Sequence, residues 1–367
     1  MVDWCRRRWW TTPVALFVLI RLATAFVASL AYRLTDATDP VRFLTVWDAS
    51  WNALVATSGY ERLLSPSSTP WASMAFFPVV PFMARGVHVV TTVSIGTAGI
   101  VVGVGCGLAA AVVLWRLVQR RFDDTVATSS LLLLLVAPSA FVLSMFYTEG
   151  PALLMVALCF TALDRKRWGW AGLAALAAGV MRPSGFLLLV PCMVAAYVAI
   201  RSERDWRSLW APLLAPLGFL AWIAYVGQRA GSTFAYFDIQ SKEWGSSFDF
   251  GITALRNVRI ALTLGSLSDE ALVNLVMLFA IGGIGLVLAF RRRLGPVWLS
   301  YALVVVVLAA GNERQTSAGR FLLLAFPLFV AFALTIPRRV LPWVASCSAM
   351  VMGALFMAAL QIAPLTP

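Results

Sequence analysis

Charge is what this sequence has least of. Only 13% of its 367 residues are Asp, Glu, Lys or Arg, and 60% are hydrophobic; a soluble domain carries about 25% charged and about 45–50% apolar residues. A mean hydropathy of +0.84 excludes disorder as well. Histidine is nearly missing: His88 stands alone, which excludes histidine-based triads and multi-histidine metal sites. The five cysteines (Cys5, Cys106, Cys159, Cys192 and Cys347) are odd in number, scattered through apolar runs and free of CxxC spacing, so they read as small buried hydrophobes. No Walker-type loop, no GxGxxG motif after a strand and no low-complexity tract is present. No cofactor is implied, and nothing in the sequence indicates a divalent metal.

Long apolar runs are what the chain does have. They begin at Pro13 to about Tyr32 and continue over about 96–118, 126–145, 150–164, 168–181, 185–200, 208–226, 271–290, 296–310, 320–336 and 340–362. Residues 75–92 are apolar too, but hold Pro78, Pro81, Arg85 and His88, which favours a re-entrant or interfacial helix over a crossing. The formal charge of +12 tests that choice. If 75–92 does not cross, Arg6–Arg8, Arg116/Arg120/Arg121, Arg165–Arg167, Arg201/Arg204/Arg207, Arg291–Arg293 and Arg338–Arg339 fall on one side. That side then carries seventeen basic residues against six acidic ones, while the other side is balanced and Arg21 lies within the membrane. The positive-inside rule makes the basic side cytoplasmic. The excess charge is therefore an orientation signal, not a nucleic-acid surface.

The expectation is an all-α polytopic membrane protein of the plasma membrane, one domain over 1–367. It has about eleven transmembrane helices plus the partial element, with the N-terminus cytoplasmic. Two long loops, about 33–95 and about 227–270, are extracytoplasmic in this topology, where binding and catalysis concentrate. Gly99 and Gly103, in GxxxG spacing, read as close helix packing.

In so apolar a chain the ionisable residues carry the information. Trp47-Asp48-Ala49-Ser50-Trp51-Asn52, followed by Gly59-Tyr60-Glu61, sets a carboxylate between tryptophans. It suits a base beside aromatic faces that bind sugar or lipid, and equally a helix N-cap at the interface. Glu149, in Tyr147-Thr148-Glu149-Gly150-Pro151, faces the same side and suits an acid/base or hydroxyl-binding role, or again a cap. Arg182 and Arg320 stand where a phosphate-linked lipid would need guanidinium groups; snorkelling to the interface is the alternative. Arg320 follows the polar stretch Gly311-Asn312-Glu313-Arg314-Gln315. Gln240 and Trp244 lie in a polar-aromatic part of the second loop, suited to carbohydrate or head-group recognition or to an interfacial amphipathic helix.

Taken in order, these motifs resemble a family. Trp47-Asp48, Gly59-Tyr60 and Phe76-Phe77-Pro78 with Pro81 resemble the first-loop signature of the PIG-V-type (GPI mannosyltransferase II-like) glycosyltransferases of the GT-C superfamily. Phe146-Tyr147-Thr148-Glu149 is similar to that family's Tyr-Ser/Thr-Glu turn, and Met181-Arg182-Pro183-Ser184-Gly185 to its Arg-Ser-x-Gly region. Gln240 to Gly245 is similar to its Gln-x-x-x-Trp-Gly loop, and Arg320 to Pro327 to its late Arg-Phe/Tyr…Phe-Pro segment. Asn52, where the family has Tyr, and Pro183, which interrupts Arg-Ser, are departures. The resemblance implies a GT-C-like bundle, a polyprenyl-phosphate-mannose donor, a lipid or glycan acceptor among membrane lipids, and transfer with inversion on the extracytoplasmic face. Asp48 and Glu149 are then the catalytic carboxylates, and Arg320 and Arg182 the donor-phosphate ligands. Trp47, Trp51, Tyr60, Tyr147, Gln240 and Trp244 would bind substrate. Two other readings suit a chain of many spans: a transporter or flippase of lipid-linked sugars, which would be expected to show repeated halves with broken helices, and a non-catalytic envelope-assembly subunit.

Overall fold

The computed structural model describes residues 9–34, 39–60, 72–262, 270–313 and 315–362, which are helical apart from turns and one isolated bridge between Phe248 and Asn312. The expectations placed on Cys5, Arg6–Arg8, Glu61 and Arg314 lie outside the described residues. Helices of seven residues or more are α1 (Thr11–Arg33), α2 (Asp48–Ser58), α3 (Val79–Thr91), α4 (Ile95–Arg121), α5 (Asp124–Leu135), α6 (Glu149–Asp164), α7 (Trp168–Gly179) and α8 (Leu189–Glu203). They continue with α9 (Leu217–Ala230), α10 (Ala235–Trp244), α11 (Ile252–Leu262), α12 (Glu270–Ala289), α13 (Arg291–Gly311), α14 (Ala318–Leu324), α15 (Phe326–Thr335) and α16 (Leu341–Ile362).

Among the described residues, six helical stretches are long and apolar enough to cross a membrane, and a seventh is a pair, Gln315–Leu324 and Phe326–Thr335, bent by 74°. The chain is an all-helical multi-pass membrane protein. Several runs expected as single spans are shorter or broken. Residues 126–145 divide, because Pro138 cannot continue α5: the helix stops at Leu135 and the chain returns through the 3-10 turn Ala140–Ser144. Helices α6 and α7 have 16 and 12 residues, about 24 and 18 Å at 1.5 Å per residue, short of a hydrocarbon layer of about 30 Å. Helix α3, at 13 residues, is also too short to cross unaided, as its prolines and charges suggested. The bend between α14 and α15 sits at Ala325, two residues before Pro327.

The sequence of α1 explains how it packs. Phe17, Arg21, Thr24, Ala28 and Ala31 recur at steps of four and three and are buried, while Leu19, Leu22, Phe26 and Leu30 are exposed on the opposite side. An arginine within a membrane span costs about 2.5–3.5 kcal/mol unless its donors are satisfied. The two terminal nitrogens of Arg21 find acceptors along the broken stretch after α5, donating to the carbonyls of Leu135 (2.8 Å) and Ala140 (2.7 Å) and to Ser144 Oγ (3.0 Å), while its Nε has no hydrogen-bond partner among the described residues. Such carbonyls are left orphaned where a helix ends inside a membrane.

The GxxxG pair of α4 seats the next part of that stretch. A Cβ on Gly99 would stand 2.1 Å from the Phe146 ring, and one on Gly103 would stand 2.6 Å from the Met145 carbonyl oxygen. One on Gly150 would stand 2.3 Å from the carbonyl of Gly103. The 145–150 turn therefore lies in a groove that only glycine leaves open, which bears out the close packing expected from this spacing.

The two long loops meet over α9. Val55, Tyr60, Met74 and Phe77 of the first form one apolar cluster with Trp222 and Val226 of α9 and with Tyr236 and Ile239 of α10. The second loop also clasps the end of α13: Asp249 N donates to Gly311 O (2.8 Å) and Glu313 N to Ser247 O (2.9 Å).

Candidate active site

Four ionisable residues separated widely in sequence meet in a row. Asp48 opens α2, Glu149 opens α6, Arg182 precedes the 3-10 turn Pro183–Leu188, and Arg320 lies in the first turn of the short α14. Neither carboxylate caps its helix. The residues before them, Trp47 and Thr148, occupy the cap positions, and both carboxylates stand in the first turn, where the helix dipole favours negative charge. Trp47 takes φ 58°, a conformation costly for a bulky side chain, and the chain turns there into α2. Its indole donates to Ala359 O (3.1 Å), tying the turn to α16. Pro183 restricts the residue before it to extended backbone, and Arg182 has φ −167° and ψ 158°.

The charges alternate. Arg320 pairs with Asp48 and stands 3.7 Å from Glu149 Oε1, while Arg182 Nη1 stands 3.0 Å from the same oxygen. Arg320 also donates to Ser317 Oγ (2.9 Å) and lies over the Tyr147 ring, 5.3 Å from its centroid. Arg182 lies over Phe321, at 5.4 Å. Exposure sorts the row into two halves. The Asp48 and Arg320 side chains are 35% and 22% exposed, whereas those of Glu149 and Arg182 are 1% and 7% exposed. Of the two arginines expected to meet donor phosphate, Arg320 is the accessible one and Arg182 is buried against Glu149. Asp48 and Arg320 are thus an openable pair, and Glu149 and Arg182 a buried pair behind it.

Three of the aromatic and amide residues expected in the site converge one turn beyond Asp48. Trp51 stacks on Phe76 (5.6 Å, 4° between planes), and Trp244 meets both edge-on at 5.2 Å. Gln240 donates to Tyr236 OH (3.0 Å), and the Trp244 indole reaches Ala72 O (3.4 Å). Tyr60 is turned away from the row; its hydroxyl donates to Phe76 O (2.8 Å) and its ring packs on Trp222 and Tyr225. Burial pushes the Tyr60 and Tyr236 hydroxyls well above the ordinary phenol range, so both stay neutral. His88 bonds Val93 O through Nδ1 (2.6 Å), a structural contact. Among the described residues no group of three or more His, Cys, Asp or Glu is placed to hold a metal ion.

Sequence reasoning missed Ser317 and Phe321, which frame these groups, and named Phe76 only as part of a motif, without a place in the site. It also missed Asn52 as a brace: its Nδ2 donates to Phe146 O (3.1 Å), joining the helix of Asp48 to the turn of Glu149. A polar residue one turn from Asp48 on a buried face was the available signal.

Known proteins are similar to this chain in part of its sequence and in its fold. Residues 70–226 match the family model of dolichyl-phosphate-mannose-protein mannosyltransferases. No curated protein sequence matches the chain. Among solved structures, ArnT from Cupriavidus metallidurans bound to undecaprenyl phosphate is 14% identical, with a TM-score of 0.54 over 94% of this chain and 76% of that one. The archaeal oligosaccharyltransferase AglB from Archaeoglobus fulgidus, in complex with an inhibitory peptide and a dolichol-phosphate, is 13% identical, with a TM-score of 0.55 over 97% of this chain and 56% of that one. These likenesses show the fold, and the family match covers residues 70–226. The chain is thus a polytopic helical membrane protein that shares its fold with these structures and is similar over residues 70–226 to that mannosyltransferase family.

Proposed function

We propose that the protein transfers mannose from a polyprenyl-phosphate-mannose donor to a hydroxyl of a lipid-linked glycan or other cell-envelope acceptor, with inversion, as a PIG-V-like enzyme. In this reading it is one domain of eleven spans in the plasma membrane, N-terminus cytoplasmic, working on the extracytoplasmic face. The observation that carries it is the pairing of Arg320 with Asp48 at the accessible end of the charged row.

The acceptor oxygen attacks the anomeric carbon, the bond from that carbon to the phosphate oxygen breaks, and the phosphate leaves with the electron pair. The proton of the acceptor hydroxyl passes to Asp48. A phosphate leaving group needs its charge stabilised more than it needs a general acid, and Arg320 is the guanidinium within its reach. Asp48 is bound to that same guanidinium in the free protein. A donor phosphate on Arg320 competes with this pair and releases the carboxylate to act as base. Glu149 and Arg182 hold Arg320 from behind, and Tyr147 supports it through its ring face. The Trp51, Phe76 and Trp244 rings, with Gln240, Trp47 and Tyr60 around them, form the wall against which a sugar would lie.

Purified protein in detergent, incubated with radiolabelled polyprenyl-phosphate-mannose and an envelope lipid extract, tests the proposal. The expected result is labelled glycolipid or glycoprotein from the wild type and none from Asp48→Asn with an unchanged melting profile. Full transfer by Asp48→Asn would remove the assigned base, and no product from folded wild type with any acceptor would remove the reaction.

A further inference from the structure

Arg21 stands apart from the charged row, on a different helix, and no step of the reaction uses it. Its contacts nevertheless lead there. Its guanidinium holds Leu135 O, Ala140 O and Ser144 Oγ, and Thr24 of the same helix bonds Ser144 Oγ as well (2.9 Å). These acceptors lie along the irregular stretch between α5 and α6. The other end of that stretch touches every member of the site: Phe146 O is bonded by Asn52 of the Asp48 helix, the Tyr147 ring lies under Arg320, and Glu149 meets both Arg320 and Arg182. The stretch has short-range backbone bonds of its own, in the 3-10 turn Ala140–Ser144 and at Ala137 and Tyr147, but no continuous α-helical ladder, so contacts made from outside help to fix its shape. From the glycine groove of α4 it receives shape; Arg21 gives it three polar contacts, and Ser348 of α16 a fourth, donating to Val136 O (2.7 Å).

We infer that Arg21 is a positioning residue for the transfer reaction: it fixes residues 135–144 so that Tyr147 and Glu149 hold Arg320, and through it Asp48, in working geometry. This rests on the glycosyltransferase reading for its catalytic consequence, though not for the anchoring itself. A lysine places a charge at the same level of the membrane but has a single nitrogen, which cannot span the two carbonyls and the hydroxyl as the planar guanidinium does. Charge alone, the role expected of a membrane arginine, is thus separable from anchoring.

The test compares Arg21→Lys, Arg21→Met and Ser144→Ala, the last deleting one acceptor without placing or removing a charge. Two measurements are made on each folded variant in detergent: transfer kinetics per folded molecule, and hydrogen exchange of the 136–148 amides against those of α4. Misplacement of a catalytic group by about 1 Å costs on the order of 100-fold in rate. Arg21→Lys is expected to lose at least about tenfold in kcat with the KM for donor within about threefold. Ser144→Ala should lose less, and the losses should be non-additive in the double variant, because both remove the same anchor. Exchange should quicken in 136–148 and remain unchanged in α4. Where Arg21→Met does not fold, Arg21→Lys and Ser144→Ala carry the comparison. Wild-type exchange and wild-type kcat in both would overturn the inference, as would activity that falls only with the folded fraction. Faster exchange beside a wild type that makes no product from any lipid-phosphate sugar would refute the function and leave the anchoring standing.

Discussion

Gly103→Ala separates the positioning of the site from the stability of the fold. In an ordinary helix the change is favourable by about 1 kcal/mol. Here the new Cβ would stand 2.6 Å from the Met145 carbonyl oxygen, about 0.8 Å inside normal contact. Overpacking of this size costs about 1–3 kcal/mol, so the two effects nearly cancel and the melting temperature should move by only a few degrees. The displacement does not cancel. Met145 O accepts from Tyr147 N at 2.8 Å, so relief of the clash moves the backbone that carries Tyr147 and, two residues on, Glu149. A shift of close to 1 Å is worth about 10- to 100-fold in rate. Gly105→Ala is the control on the same helix, because nothing stands within 4 Å of its Cβ; it should melt as high as wild type or higher and transfer sugar normally. Gly150→Ala, whose Cβ would stand 2.3 Å from Gly103 O, should be the most severe of the three. Thermal unfolding in detergent and transfer kinetics read both quantities. Normal kcat in Gly103→Ala would show that the turn tolerates displacement and would refute the reasoning.

Further outcomes follow from the row of charges and the aromatic wall. Asp48→Asn removes the carboxylate that competes for Arg320, so polyprenyl phosphate should bind up to about fivefold more tightly, equivalent to about 1 kcal/mol for a partly exposed pair, while transfer is lost; weaker binding, measured by equilibrium titration, would mean that Asp48 does not compete with phosphate. Glu149→Gln leaves Arg182 buried beside a neutral group and should cost about 3–5 kcal/mol, seen as a far larger drop in melting temperature than Asp48→Asn produces; equal drops would contradict the difference in burial. Trp51→Ala opens the three-ring cluster and should raise the acceptor KM about tenfold, with the donor KM unchanged; a change confined to the donor KM would put the aromatic wall on the wrong substrate.

What was legible in the sequence depended on whether the signal was local. The GxxxG spacing of Gly99 and Gly103 is local, and its meaning held. Asp48, Glu149, Arg182 and Arg320 were visible because charge is scarce around them. Their pairing was not, since Asp48 and Arg320 are 272 residues apart and nothing short-range links them. Whether a carboxylate caps its helix turns on a shift of a single residue, from the cap position to the first helical turn, which pattern alone does not resolve. Hydropathy runs also hid the breaks at Pro138 and before Pro327, because a run of apolar residues records environment and not continuity of the helix.

The least legible contacts are those in which one partner is backbone. A carbonyl has no letter of its own, so the anchors of Arg21 at Leu135 and Ala140, and that of Asn52 at Phe146, leave no trace in the sequence of the acceptor. In a membrane this blindness has a direction. Backbone groups released by a helix break must find partners inside the protein, so a break within an apolar run implies a polar side chain elsewhere in the chain that answers it. Pro138 and Arg21 are such a pair. The break at Pro138 opens the path that brings Glu149 to Arg320, and the arginine on α1 makes that break tolerable. An intramembrane charge that finds no opposite charge is therefore to be matched first against the proline-broken runs of the same chain, and here that match leads directly to the site.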